Sequence, residues 1–280
     1  MDIISIEIIG EPGMHILSFL RVPFKNRYLL TELIKRDISI RYRGSLMGIM
    51  WAVVNPLLML VVYTFFFSVV FKARWSTAGD SKGDFAMLLF CGLLVFNFLG
   101  ECLNRSPALI LSNSNYVKKV VFPLEVLPWV VVGSALFHAV IGFGVWFSFF
   151  VVVKGYLHWT SMLLPVVLLP IIFFAAGFSW LLSSFGVYLR DIGQFVTILT
   201  AVLPFTSPIF FPITALPENF QVLMYINPLT VVIDQVRSVL FFGVVPSGVE
   251  YVVYLAISLI FAFLCFVWFQ KTRRGFADVM

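Results

Sequence analysis

Charge is scarce in this sequence. Only 33 of its 280 residues are Asp, Glu, Lys or Arg, 12% of the chain against 61% hydrophobic. A water-soluble domain of this length has no core large enough to hide so much apolar surface, so a soluble enzyme or binding module is excluded. Intrinsic disorder falls by the same shortage, because it requires low hydropathy. Cysteine is also scarce: Cys91, Cys102 and Cys265 lie in or beside apolar stretches. Three such thiols exclude a disulfide framework and read as small buried hydrophobes. His15, His138 and His158 are far apart, so no metal-ligand spacing arises and no metal is expected. No Gly-x-x-x-x-Gly-Lys-Ser/Thr run occurs, so the chain lacks a phosphate-cradling loop and is not itself an ATPase.

What fills the sequence is hydrocarbon. The windows free of Asp, Glu, Lys and Arg are 44–71, 85–100, 126–153, 155–189, 192–217, 219–233, 238–249 and 251–270. A spanning helix needs about 20 apolar residues, and a charge at the bilayer centre costs several kcal/mol on insertion scales. Six windows are therefore expected to span, 85–100 with a few flanking residues. The windows 219–233 and 238–249 are too short to cross alone, are broken by Pro228 and are separated by Asp234 and Arg237. They predict a re-entrant hairpin or two half-buried helices. The expected fold is an all-α integral membrane protein of one domain, with no repeat, low-complexity tract or long polar linker.

Basic residues set the expected orientation. Fourteen of the 19 Lys and Arg fall before span one, between spans two and three, at Arg190 and after span six; the other five are Lys72, Arg74, Lys82, Lys154 and Arg237. The positive-inside rule then predicts that both termini are cytoplasmic, and membrane orientation accounts for the net charge of +5 without nucleic acid. Asp2, Glu7 and Glu11 precede every basic residue, the wrong order for a signal peptide, so span one is the expected insertion signal. The boundaries read as a cytoplasmic N-terminal segment 1–24, an amphipathic interfacial helix 25–43, a six-span permease domain 44–270 and a cytoplasmic tail 271–280.

In the amphipathic helix, Leu29, Leu30, Leu33, Ile34 and Ile40 share one arc and Thr31, Glu32, Lys35, Arg36 and Arg43 the other. Such a helix lies in the membrane interface. Asp37 and Arg41 land on the apolar side at i,i+4, where they can pair with each other or with a partner protein. Between spans two and three, Ser106-Pro107 reads as a helix start, with a hydroxyl cap and a first-turn proline, and the Asn/Ser cluster at 112–115 breaks that helix after about two turns. Span five carries Pro204, Pro208 and Pro212, which predict a kinked far half. Asn227-Pro228 repeats the cap-plus-proline start, with the helix closed by Gly243 and with Asp234 and Arg237 on one face as an interfacial ion pair or a gate element. His138 reads as a packing hydrogen bond, and Glu101 and Glu125 at span ends support no proton relay. The 32 phenylalanines are mostly lipid-facing or packing, with a subset available to line a passage.

These residues resemble the permease subunit of polysaccharide-exporting ABC transporters, within the type-2 ABC exporter superfamily. The likeness is carried by Arg36-Asp37-Ile38-Ser39-Ile40-Arg41-Tyr42-Arg43-Gly44-Ser45-Leu46-Met47-Gly48, Trp51, Asn55-Pro56-Leu57-Leu58-Met59 and Phe122-Pro123-Leu124-Glu125-Val126-Leu127-Pro128. It continues through Ser207-Pro208-Ile209, Asn227-Pro228-Leu229-Thr230 and Phe276-Ala277-Asp278-Val279, in order from about residue 25 to 280. The resemblance implies a homodimeric channel in the bacterial inner membrane, bound to two copies of a cytoplasmic ABC ATPase that carries ATP and Mg, with no cofactor on this chain. Its implied cargo is a lipid-linked polysaccharide, O-antigen, capsular or teichoic in type. Contact with the ATPase is implied for Lys35, Arg36 and Asp37 and for Ser106, Pro107, Leu109, Asn113, Tyr116, Lys118 and Lys119. Arg41 and Arg43 become lipid-headgroup residues where substrate enters, and Trp51, Tyr63, Phe67, Phe205 and Phe211 channel-lining residues. Pro212, Pro217, Asn227, Asp234 and Arg237 become the outer gate. Two rivals are an ABC permease for a drug or small lipid and, from another class, a membrane-embedded glycosyl or acyl transferase. A transferase needs paired acidic or His residues, for which Glu101, Glu125 and Asp191 offer no catalytic spacing in sequence.

Overall fold

In a computed structural model, residues 18–66, 82–117, 122–213 and 216–279 are described. Every regular element among them is helical. Two helices precede the first span, α1 (Ser18–Lys25) and α2 (Arg27–Tyr42). The first span runs through a 3-10 turn, Gly48–Met50, into α3 (Trp51–Tyr63). After α4 (Lys82–Arg105) come two single turns, α5 (Leu109–Ser112) and α6 (Ser114–Val117), and then the 29-residue α7 (Val126–Lys154). A return through α8 (Leu164–Val167) leads into α9 (Leu169–Tyr188), then α10 (Ile192–Val202), α11 (Glu218–Ile226) and α12 (Pro228–Arg237). The chain closes with α13 (Gly248–Thr272) and α14 (Phe276–Val279).

Among the described residues, five stretches are long and apolar enough to cross a membrane: Gly48–Phe66, Gly83–Arg105, Val126–Lys154, Trp159–Tyr188 and Gly248–Val279. The fifth expected span supplies only the 11 residues of α10. At 1.5 Å per residue that is about half of a 30 Å hydrocarbon core. Pro204 has no N–H for the ladder and disfavours helix at the residue before it, and the helix duly stops at Val202 with 203–209 in turns.

Burial ranks the helices. The α4 span is 83% buried and is the centre of the molecule, packed on α7, α12, α9 and α10, whereas only 11% of the α3 span is buried. The closest helix pair is α9 with α13, where Gly177 lets the Phe261 ring approach the backbone. Of the segment expected in the cytoplasm, Phe19 and Val22 are buried against the spans, and Phe19 is 3% exposed among the rings of Phe173, Trp180, Phe263 and Phe266. The amphipathic helix crosses α7 at Gly133, whose missing side chain leaves the hole that Ile34 fills. Between α2 and α3 the chain turns sharply at Gly44 and Gly48, with φ of 81° and 54°. L side chains pay steric energy in that region, so the elbow needs glycine at both points.

Candidate functional site

The side of the bundle carrying α2, α5, α6 and α14 holds the basic clusters and is called here the basic face. Asp37, set on the inner side of α2 by helical periodicity, accepts two hydrogen bonds of 2.7 Å from Arg105 Nη2. Arg105 also donates to Glu101 Oε1 at 3.2 Å, four residues back on α4. Arg41 donates to the same carboxylate oxygen, and His138 Nδ1 lies 3.0 Å from Glu101 Oε2. The Glu101 carboxylate accepts from both arginines, so His138 Nδ1 is assigned as a donor to its second oxygen; the 3.3 Å approach of Arg41 Nη1 to that nitrogen is then contact alone. His138 Nε2 is buried and finds no partner among the described residues. Burial also pushes the phenol of neighbouring Tyr42 above its ordinary value.

The pairing differs from the expectation for α2. Asp37 and Arg41 do not pair with each other, because i,i+4 neighbours on the inner arc both point at α4, where Arg105 and Glu101 offer better-buried partners. The tie is testable: a double-mutant cycle of Asp37→Asn and Arg105→Gln, read by thermal unfolding in detergent, is expected to give a coupling of about 1 kcal/mol. The short charge-assisted contacts of Arg105 Nη2 with both carboxylate oxygens raise that figure and the third of each side chain left exposed lowers it. A coupling near zero would mean that α2 is held by apolar packing alone.

The connection between α4 and α7 is held from three directions. Ser106 is buried and its hydroxyl donates to Cys102 O, so it extends α4 and does not cap the next helix, as the sequence suggested. Ala108 takes the N-cap position of α5 without a side-chain bond. Pro107 packs its carbonyl against Gly186 of α9, and Leu109 is 9% exposed. Asn113 Nδ2 donates to Leu109 O at 2.9 Å and closes α5. Tyr116 receives a 2.6 Å hydrogen bond from Arg36 and stacks on Phe122 at 4.2 Å between centroids. Beyond the connection, Arg273 meets Glu125 at 2.8 Å and Tyr188 donates to Thr272 O, fastening the chain end to α7 and α9. Among the residues expected to meet an ATPase, Ser106, Pro107 and Leu109 face inward while Lys35 and Arg36 are exposed. Lys118 and Lys119 lie outside the described residues.

Two hollows flank α2. One, about 410 Å³, sits inside the elbow and is lined by Arg36, Ser39, Arg43 and Ile49 among others. The second, about 240 Å³, opens between α3, α4 and α7, where Arg41, Trp51, Asn55, Asn97, Glu101 and His138 converge. Arg41 and Arg43, paired in the sequence reading, thus belong to different hollows. Sequence reasoning passed over Glu101, Arg105, His138 and Asn97 as site residues; the signal available was a polar i,i+4 series, Asn97–Glu101–Arg105, in an otherwise apolar span.

At the opposite end, Asn227 Oδ1 accepts from Leu229 N and caps α12 as expected, while its Nδ2 donates to Thr206 O and Ser207 Oγ. Arg237 is 3% exposed. It donates to the carbonyls of Leu88, Pro208 and Ile209 at 3.0, 2.6 and 2.9 Å, with Asp234 more distant at 3.9 Å. Its main partners are therefore backbone carbonyls, not the acid. Pro212 is half-buried and Pro217 exposed. Of the aromatics, Trp51 lines the smaller hollow, Tyr63 and Phe211 are half-buried, Phe205 is exposed beside Phe210, and Phe67 lies outside the described residues. Among the described residues no group of three His, Cys, Asp or Glu comes together to hold a metal.

Residues 28–241 match the family model described as ABC-2 type transporter. The chain is 24% identical over 264 residues to the O-antigen export system permease protein RfbA of Myxococcus xanthus, covering 94% of this chain and 99% of that protein. It is 26% identical over 255 residues to the protein of the same name from Klebsiella pneumoniae, covering 90% and 95%. With the polysialic acid transport protein KpsM of Escherichia coli it shares 24% identity over 246 residues, 85% of this chain and 91% of that one.

Proposed function

Since the chain belongs to the ABC-2 type transporter family, we propose that it is the membrane permease of an ATP-driven exporter of lipid-linked polysaccharide, with O-antigen the first candidate cargo. Two copies form the channel in the bacterial inner membrane, with the basic face and both termini toward the cytoplasm. Two copies of a separate ATPase bind that face and carry the ATP and Mg. The reading draws on relatives named for O-antigen export and polysialic acid transport that align along nearly the whole chain.

The observation that carries the two-copy channel is the nakedness of the first span. The α3 span is 11% buried inside one protomer, and Leu57, Leu58 and Val61 are exposed on it; Phe195, Ile198 and Val202 are likewise exposed on α10. Both helices touch α4, so a second copy apposed to this side would enclose a passage between apolar walls. Such walls let a polar chain slide without holding it.

The larger hollow supports a headgroup role. Arg43 is exposed in it and keeps its charge for a ligand, whereas Arg41 is engaged by Glu101. Basic side chains at interface depth attract lipid phosphates. Reconstituted with its ATPase, Arg43→Ala is expected to slow ATP-dependent export of lipid-linked glycan at least five-fold with assembly unchanged. Export at the wild-type rate would remove Arg43 from substrate uptake. Export that persists without ATP, or a permease that purifies with no ATPase from cells making both, would overturn the exporter reading.

A further inference from the structure

The smaller hollow has a chemistry that phosphate recognition does not explain. Asn55 on α3 and Asn97 on α4 are both exposed into it, and among the described residues neither side chain has a hydrogen-bond partner. His138 Nε2 is buried in the same wall and equally unmet. An amide in contact with hydrocarbon carries a heavy desolvation penalty, so membrane segments keep such groups only where protein, water or a ligand meets them. Two unmet amides on two different helices, α3 and α4, converge on one space walled by His138 of α7.

The charge there is balanced. Arg41 is bound to Glu101, which also takes His138 and Arg105. An incoming phosphate would have to displace a carboxylate already held by two arginines and would face that carboxylate at close range. A neutral group rich in hydroxyls meets no such opposition. Each hydroxyl donates and accepts, matching amides that do both. Trp51, 36% exposed, and Phe98 supply apolar faces beside these groups. The size agrees: about 240 Å³ lies below the roughly 300–1,000 Å³ of drug-sized sites and is on the scale of one pyranose ring.

We propose that the hollow framed by Asn55, Asn97, Glu101 and His138 holds one neutral sugar unit of the transported glycan, separately from the arginine-lined elbow that takes its phosphate. The inference rests on the exporter reading above. It divides recognition between two neighbouring hollows on either side of α2, one for charge and one for hydroxyls.

The test uses the full chain with its ATPase in lipid nanodiscs and two probes: a short-chain polyprenyl diphosphate bearing one neutral hexose, and the same diphosphate without sugar. In the wild type the sugar is expected to tighten binding at least ten-fold. Asn55→Leu combined with Asn97→Leu should abolish that gain and leave the sugar-free probe within two-fold of wild type, while Asn→Gln at both positions keeps part of the gain. The Leu pair makes both spans more apolar, so insertion is not at risk. A gain that survives the Leu pair overturns the sugar site. So does dissociation of the two permease copies by the Leu pair, which would assign the amides to a contact between chains. Wild-type binding of the lipid with no sugar gain sinks this inference alone, whereas wild-type failure to bind either probe sinks the lipid-linked glycan reading beneath it.

Discussion

Arg237→Met is expected to be the most damaging single substitution outside the hollows, lowering stability by on the order of 2–6 kcal/mol, since two buried carbonyls lose their donor at roughly 1–3 kcal/mol each. The side chain is 3% exposed and, among the described residues, donates to the carbonyls of Leu88, Pro208 and Ile209. Two of these carbonyls belong to the proline-broken stretch after α10, where prolines have removed the N–H groups of a regular ladder. The guanidinium replaces that ladder and ties the stretch to α4. Methionine fills similar volume and leaves the Pro208 and Ile209 carbonyls facing apolar surroundings without that donor, whereas Leu88 O lies within the α4 ladder. Thermal unfolding in detergent reads the loss, and limited proteolysis should show cutting first within 203–217. Asp234→Asn is the control: at 3.9 Å and 45% exposed, its loss should cost far less. Equal effects of the two substitutions would mean that the ion pair, not the carbonyl clamp, holds the segment.

Gly186→Ala is expected to cost about 1–3 kcal/mol by overpacking and to reduce ATP-dependent export by about an order of magnitude. In an ordinary helix the same change gains roughly 1 kcal/mol of propensity, so the sign itself is informative. A Cβ at Gly186 would overlap the carbonyl of Pro107. That neighbour is backbone and has no rotamer to swing away, so α9 and the 106–117 connection must part. The connection carries Tyr116 and through it the Arg36 tie to α2, which is why export should fall further than stability. Gly144→Ala provides the contrast, since nothing lies within 4 Å of its Cβ; neutral or slightly raised stability is expected. If both substitutions behave alike in thermal unfolding and in export, close contact between α9 and the connection is not needed.

Much of this was legible in sequence for reasons of solvent. Hydrocarbon penalises every charge, so the charge-free windows marked α4, α7, α9 and α13 and set their limits near the observed ones. Local stereochemistry was equally legible at Asn227-Pro228, which starts α12; at Pro204 it was legible only in part, because the expected kink in a full span is instead the end of α10. The same kind of local signal failed at Ser106, whose hydroxyl has a carbonyl one turn back on α4 to bond. A cap motif and a helix continuation look alike in sequence, and the choice between them depends on whether the chain turns away at that point.

The sequence by itself determined that this chain lives in a membrane, where most of its long helices fall and which segments gather the basic residues. Each of these follows from composition or from periods of a few residues. Only the tertiary structure decided who meets whom: that Asp37 reaches Arg105 and not Arg41, that Arg41 and Arg43 serve different hollows, and that Arg237 binds carbonyls 28, 29 and 149 positions away. The physical reason is that ion pairs and carbonyl clamps act over about 3 Å and carry no sequence period. Helix packing chooses those partners, and α4, the most buried span, chooses most of them.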